Sequence, residues 1–223
     1  MDMMDLDAAR WRLPSGLAAR LVDAPEASCL SADERVRMAS FGHADRRRQF
    51  MLGRRAARTL AAERLGLAPD AVPLTVGADG APELPGLVVS IAHTGRNTQT
   101  AALAAVADVP VGVDLERVAA RRPDLWRRIL APEEHALLDA LGGPTDDAQT
   151  LLWTLKEAVL KGQRTGFRAG GQSVRMALDA DGAPPDLGRA TATARGATWH
   201  VTFGRQQDLW LAVAWRPAVA NAS

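Results

Sequence analysis

The chain has 223 residues, 47% of them hydrophobic, enough for a sizeable core and too many for a disordered chain. Its 27 lysines and arginines balance 26 aspartates and glutamates, so the net charge is +1 and the basic stripe of a dedicated nucleic-acid binder is not expected. A single cysteine, Cys29, excludes an internal disulfide and a thiolate metal cluster.

The opening Met1-Asp2-Met3-Met4-Asp5 lacks the basic-then-apolar order of a signal peptide. No apolar run approaches the ~20 residues that cross a bilayer, so a soluble, cytoplasmic protein is expected. After an Ala/Arg-rich start, Ser31-Ala32-Asp33-Glu34 marks the beginning of a helix, with a capping hydroxyl and acidic groups where the dipole favours them. A longer helix is predicted over Asp45 to Leu65, because Leu52, Ala56 and Leu60 recur at helical spacing and Phe50, Ala57 and Ala61 widen the stripe. Its other side is basic, with Arg46, Arg47, Arg48, Arg54, Arg55 and Arg58. Prolines and glycines punctuate Leu67 to Gly86, which reads as irregular chain or a short hairpin. Leu87 to His93 then reads as a buried strand, with Thr100 to Ala107 as its neighbour.

Near Asp108-Val109-Pro110 the pattern restarts. A strand is predicted over Val111 to Glu116, helical turns over Asp124 to Leu130, and a helix over Pro132 to Leu141 with proline in its first turn. The loop Gly142 to Asp147 leads into a further helix, and short strands follow at Ser173 to Leu178, Thr191 to Arg195, Thr198 to Phe203 and Trp210 to Trp215.

Three stretches carry chemistry. In Val111-Gly112-Val113-Asp114-Leu115-Glu116 the strand period puts the apolar side chains on one face and Gly112, Asp114 and Glu116 on the other. Two neighbouring carboxylates repel unless a cation lies between them, and oxygen-only ligation suits Mg2+ holding a phosphate, with the glycine leaving room for a bulky ligand. Taken alone, an Asp-x-Glu pair is more often a solvated edge strand. The chain's two lysines, Lys156 and Lys161, both fall in Trp153-Thr154-Leu155-Lys156-Glu157-Ala158-Val159-Leu160-Lys161. Trp153, Glu157 and Lys161 share one helix ridge, where Glu157 and Lys161 would otherwise form an ordinary surface ion pair. Three carboxylates with an ammonium group can hold a divalent ion and neutralise a transferring phosphoryl group. Third, Ser90-Ile91-Ala92-His93-Thr94 is a strand end whose histidine, threonine and amides form a phosphate cradle or a local hydrogen-bond network.

These residues resemble the 4′-phosphopantetheinyl transferase superfamily, in its Sfp-type branch. The matching motifs are Ser90 to Thr94, Val111 to Glu116, and Trp153 to Lys161 followed by Gly166, in that order, with the arginine helix extending the likeness over roughly Ser31 to Ser173. The resemblance implies a monomeric, pseudo-twofold α+β fold of two subdomains, residues 1–109 and 110–223, with the active site at their seam. It implies transfer of the 4′-phosphopantetheine arm of coenzyme A to a serine of an apo acyl or peptidyl carrier protein, giving the holo carrier and 3′,5′-ADP. The expected metal is Mg2+, with Mn2+ the alternative, held by Asp114, Glu116 and Glu157. Glu157 is the implied base, directly or through water, and Lys161 the group acting at the pyrophosphate. Coenzyme A contacts fall on Arg37, Arg48, Arg54, His93, Thr94, Asp114, Lys156 and Lys161. No nucleic acid or membrane partner is expected, and fatty-acid, polyketide and peptide-synthetase carriers all remain open as the substrate. Two departures stand out: Gly80-Ala81-Pro82 lacks the lysine that many relatives carry, and Ala92 replaces a serine. A metal-dependent nuclease or phosphohydrolase and a non-catalytic coenzyme A or carrier binder are the competing readings. The helical rather than strand spacing of Glu157 and Lys161 disfavours the nuclease, and the presence of both disfavours the non-catalytic binder.

Overall fold

The computed structural model describes residues 2–120, 122, 125–126, 129–165, 170–179 and 187–217. In chain order the strands and helices are β1 (Met3–Asp5), β2 (Ala18–Val22), α1 (Ala32–Ser40), α2 (Ala44–Leu65), β3 (Thr75–Val76), β4 (Pro82–Glu83), β5 (Val88–Thr94), β6 (Ala101–Ala107), β7 (Val111–Arg117), α3 (His135–Ala140), α4 (Asp146–Gly162), β8 (Val174–Leu178), β9 (Leu187–Ala194), β10 (Ala197–Gln206) and β11 (Leu209–Trp215). Two antiparallel sheets result, ordered β1-β2-β6-β5 and β7-β11-β10-β9-β8, with β3 and β4 forming a separate small hairpin.

Side-chain alternation stacks these sheets into four layers. Leu103 and Ala105 of β6 meet Val111, Val113 and Leu115 of β7 and Leu211 and Val213 of β11 in a central core between the sheets. The opposite face of β6, Ala102, Ala104 and Val106, packs on Leu52, Ala56 and Leu60 of α2. Trp210, Ala212 and Ala214 of β11 pack on Leu151, Leu155 and Val159 of α4. The order is therefore helix, sheet, sheet, helix, and each apolar stripe covers one sheet face.

Ser31 caps α1 by accepting from the Glu34 amide at 3.3 Å, and the Glu34 carboxylate accepts from the Ser31 amide at 3.2 Å, a reciprocal capping box. Glu34 does more than cap. Its carboxylate is buried and takes Arg58 at 2.5 Å and Arg54 at 3.4 Å, binding α1 to α2. Arg58 also donates to the carbonyls of Pro69 and Val72 at 2.8 and 2.9 Å, and Arg55 pairs with Asp2 at 2.7 Å and Glu26 at 3.0 Å. Half of the basic side of α2 is thus interior. Burial of that kind is tolerable only because each guanidinium is matched by carboxylates or carbonyls.

Two strands escaped the sequence reading. β2 pairs with β6 and buries Arg20, whose guanidinium bridges Asp5 of β1 and Glu63 of α2. An arginine at an inward position hides the strand's alternation. The helix expected over Pro132 to Leu141 is a 3-10 turn at Pro132–Glu134 followed by α3. Much of the expected Asp124 to Leu130 helix lies outside the described residues, of which Leu125, Trp126 and Ile129 are helical.

Candidate functional site

The edge strands β5 and β7 meet where the sheets join, and the Ser90 hydroxyl accepts from the Val113 amide at 3.0 Å. Around this seam lies a cleft of about 1130 Å³. Its walls are the β3–β4 hairpin, the start of β5, Pro110 and Val111, the C-terminal end of α4 from Lys161 to Thr165, and the β9–β10 turn with Trp199.

Asp114 sits on β7 facing α4, 3% exposed, and the Lys161 ammonium donates to its Oδ1 at 2.6 Å. Burial pushes the Asp114 carboxyl up, to about 6, against the pull of Lys161, and the charge of Glu116 pushes in the same direction. Burial works to lower the Lys161 pKa, but Asp114, with Glu157 and Glu116 behind it, raises it above the ordinary lysine value. All three acids therefore act on one ammonium group. Glu116 is oriented by Trp153, whose indole N–H donates to Oε1 at 3.1 Å. This contact links β7 to the same face of α4 that carries Glu157 and Lys161.

Among the described residues no three His, Cys, Asp or Glu side chains are arranged to hold a metal ion. Of the three carboxylates expected from the sequence, Asp114 and Glu116 share one face of β7 and Glu157 lies on α4, with the Lys161 ammonium among them. The donor chemistry nonetheless fits a hard divalent ion. Asp114 Oδ2 is a buried oxygen with no hydrogen-bond partner, beside Glu116 on the same strand face.

Gly112 does not open space for a ligand, as the sequence had suggested. A Cβ there would lie 2.0 Å from the Ala158 carbonyl oxygen and 2.3 Å from the Gly162 amide nitrogen. The missing side chain lets α4 lie directly on β7, and this places Glu157 and Lys161 beside Asp114.

Lys156 is corrected more sharply. Its ammonium is fully buried, pairs with Glu134 at 2.5 Å, and donates to the carbonyls of Ile129, Gly171 and Val174 at 3.0, 3.1 and 2.8 Å. With its donors committed to the interior it does not reach a coenzyme A phosphate. Burial lowers its pKa and Glu134 opposes that shift.

At the end of β5, Arg46 Nη1 donates to His93 Nε2 at 3.2 Å. A guanidinium cannot accept, so Nε2 is the acceptor and the ring is neutral. Burial, then the charges of Arg46 and Lys161, lower the His93 pKa to about 4. Thr94 follows, half-buried, and the loop beyond is tied to α2 by Gln49 donating to the Gly95 carbonyl at 3.1 Å and Asp45 accepting from the Asn97 amide at 2.8 Å. Arg46 lies over Phe41 at 5.4 Å, Phe41 meets Phe50 edge-on at 5.3 Å, and Arg37 and Arg54 flank Phe50 at 5.9 and 5.4 Å. A basic, aromatic strip therefore runs from His93 to α1. Of the three arginines singled out from the sequence, Arg37 is exposed and Arg48 donates to the Asp23 carbonyl at 2.9 Å. Arg54 is buried against Glu34, which corrects the expectation that it is available to a ligand. The residue the sequence reading passed over is Arg46. The sequence placed it only on the basic side of α2, because its contact with His93 joins residues 47 apart in the chain.

The seam of this four-layer α+β fold thus brings Asp114, Glu116 and Lys161 together, with a neutral His93 at the end of β5. Two family models match the chain: the 4′-phosphopantetheinyl transferase N-terminal domain over residues 32–107 and the 4′-phosphopantetheinyl transferase superfamily over residues 110–214. A 4′-phosphopantetheinyl transferase of Bacillus subtilis is 29% identical over 162 residues, covering 70% of this chain and 69% of the relative. The chain belongs to the 4′-phosphopantetheinyl transferase superfamily and is a transferase.

Proposed function

We propose that the protein moves the 4′-phosphopantetheine arm of coenzyme A to a serine of an apo acyl or peptidyl carrier protein. The serine oxygen bonds to the phosphorus that carries the arm, the bond from that phosphorus to the bridging oxygen breaks, and 3′,5′-ADP leaves. The observation that carries this reading is the Asp114–Lys161 pair, whose lysine lines the seam cleft, with Glu157 one helical turn before Lys161. Phosphoryl transfer needs positioning and charge neutralisation rather than a protein nucleophile, and these residues supply both.

Glu157 takes the serine proton, directly or through water. Lys161 neutralises charge on the pyrophosphate as the leaving oxygen forms. Asp114 and Glu116, with Glu157, would hold Mg2+ or Mn2+, which supplies Lewis-acid stabilisation of the phosphate oxygens. His93, Thr94 and Arg46 would bind a phosphate at the end of β5, the histidine as a neutral hydrogen-bonding group and the arginine as the charge. Arg37 and Arg48 belong to the adjoining basic strip.

The test is intact-mass spectrometry of apo fatty-acid, polyketide and peptidyl carriers incubated with the protein and coenzyme A, with and without Mg2+. The expected result is a metal-dependent gain of one phosphopantetheine arm on the carrier serine, lost in both Asp114→Ala and Glu157→Ala. Coenzyme A binding without a gain on any carrier would sink the catalytic reading, and near-normal turnover in both variants would remove the base and metal assignment.

A further inference from the structure

Arg164 stands just past α4 and reaches across the cleft. Its Nε lies 3.2 Å from Asp79 Oδ2, and its Nη2 lies 3.2 Å from Asp79 Oδ1 and 2.9 Å from Glu83 Oε1. Both acids belong to the β3–β4 hairpin, so this contact fastens the hairpin to the helix that bears Lys161. All five of Asp79, Glu83, Lys161, Arg164 and Ala81 line the same cleft.

Two local features accompany the contact. A Cβ on Gly77 would lie 2.3 Å from Glu83 Oε1 and 3.1 Å from Asp79 Oδ1, so the glycine leaves the space in which the two carboxylates converge. Arg164 itself has φ +57°, the left-handed turn that ends α4, with the Thr165 amide donating to the Leu160 carbonyl at 3.1 Å. Yet the pairs are open to solvent, with side-chain exposures of 45% for Arg164, 41% for Asp79 and 47% for Glu83. Exposed ion pairs are weak and screened, whereas a phosphate offers the same guanidinium a bidentate, more highly charged partner.

We infer that Arg164 is an anion-binding residue of the cleft that Asp79 and Glu83 hold in check until a phosphate of the substrate displaces them. The exchange loosens the hairpin from α4 as the ligand enters. It also places a cation next to Ala81, where this chain has no basic side chain of its own on the hairpin. The inference rests on the reading that coenzyme A occupies the cleft.

Isothermal titration calorimetry of coenzyme A separates the two claims. Arg164→Ala should raise Kd about tenfold, the loss of one charge-assisted contact. Asp79→Asn with Glu83→Gln should lower Kd by about threefold, and that gain should fall below about 1.5-fold when combined with Arg164→Ala. A gain that persists in the Arg164→Ala background means the acids act only through their general charge, and overturns the exchange. Equal weakening by Arg164→Ala and by the paired acid variant means the contact is only a brace, and also overturns it. Arg164→Gln, which keeps hydrogen bonding without charge, must follow Arg164→Ala; an unchanged Kd in either counts against the inference. If the unmodified protein fails to bind coenzyme A, the proposed function fails first and this inference with it.

Discussion

At the scale of the residue, the two lysines show how far a motif carries. Both fall in one stretch of nine residues, and the sequence reading gave both a phosphate. Five residues along a helix turn through roughly 140° net, so Lys156 and Lys161 leave α4 on different faces and cannot serve one site. That rotation was legible and was not used. What was not legible is the partner of Lys156, because Glu134 and the three carbonyls come from distant segments. Lys156→Met should therefore cost stability, on the order of 3–5 kcal/mol by urea unfolding, because Glu134 is left buried without its counter-charge. Lys161→Met should remove transfer and also lower the unfolding midpoint, because buried Asp114 then loses its ammonium partner. A Lys156→Met protein of normal stability would show that the interior pair is dispensable.

His93 gives the second prediction at this scale. Its pKa falls from 6.5 in the unfolded chain to about 4 in the fold. Between those values the unfolded chain binds the proton and the folded protein does not, so stability contributed by the neutral ring is present above pH 6.5 and is lost as pH falls toward 4. His93→Gln cannot titrate. Chemical denaturation across this window should show a steeper acid loss for the parent protein than for His93→Gln, and parallel profiles would mean the ring is not held neutral.

At the scale of the element, the helices and most strands followed from pattern. The α2 stripe, the alternation of β7 and the capping residue of α1 are local signals, and the structure starts α2 at Ala44 and α1 at Ala32. β1 and β2 were hidden because β2 buries an arginine, and the interior arginines of α2 looked like surface because Glu34 is supplied by another helix. Gly112 is the element-scale residue with the largest consequence. The atoms that an added Cβ would meet at 2.0 and 2.3 Å are backbone atoms of α4, which cannot rotate aside as a side chain would. Gly112→Ala must push the end of the helix away from β7, and Glu157 and Lys161 move with it. Overpacking of this kind costs about 1–3 kcal/mol, and a displacement near 1 Å in a reacting group costs on the order of a hundredfold in rate. The variant should lose kcat by more than its modest loss of thermal stability explains. Unimpaired kcat at a lowered Tm would show that the close approach serves packing alone.

At the scale of the whole molecule, the sequence pattern restarts near Pro110, but the way the two sheets depend on each other was not legible in it. Hydrophobic periodicity shows that β6 and β7 each bury an apolar face without saying that they bury it against one another. The central core draws Leu103 and Ala105 from one sheet and Val113, Leu115, Leu211 and Val213 from the other. Neither sheet covers that face alone, so separation of the halves would expose apolar surface on both. The two halves should consequently unfold together, and the seam that carries the cleft should be as stable as the core beneath it. Leu211 is fully buried in this layer, and Leu211→Ala leaves a cavity between the sheets that should cost about 2–5 kcal/mol. Calorimetry should record one transition for the parent and one, at lower temperature, for the variant. Two separated transitions in either protein would mean that each half is stabilised by its own helix and sheet. The cleft between them would then be a contact of two independent bodies, free to open without unfolding.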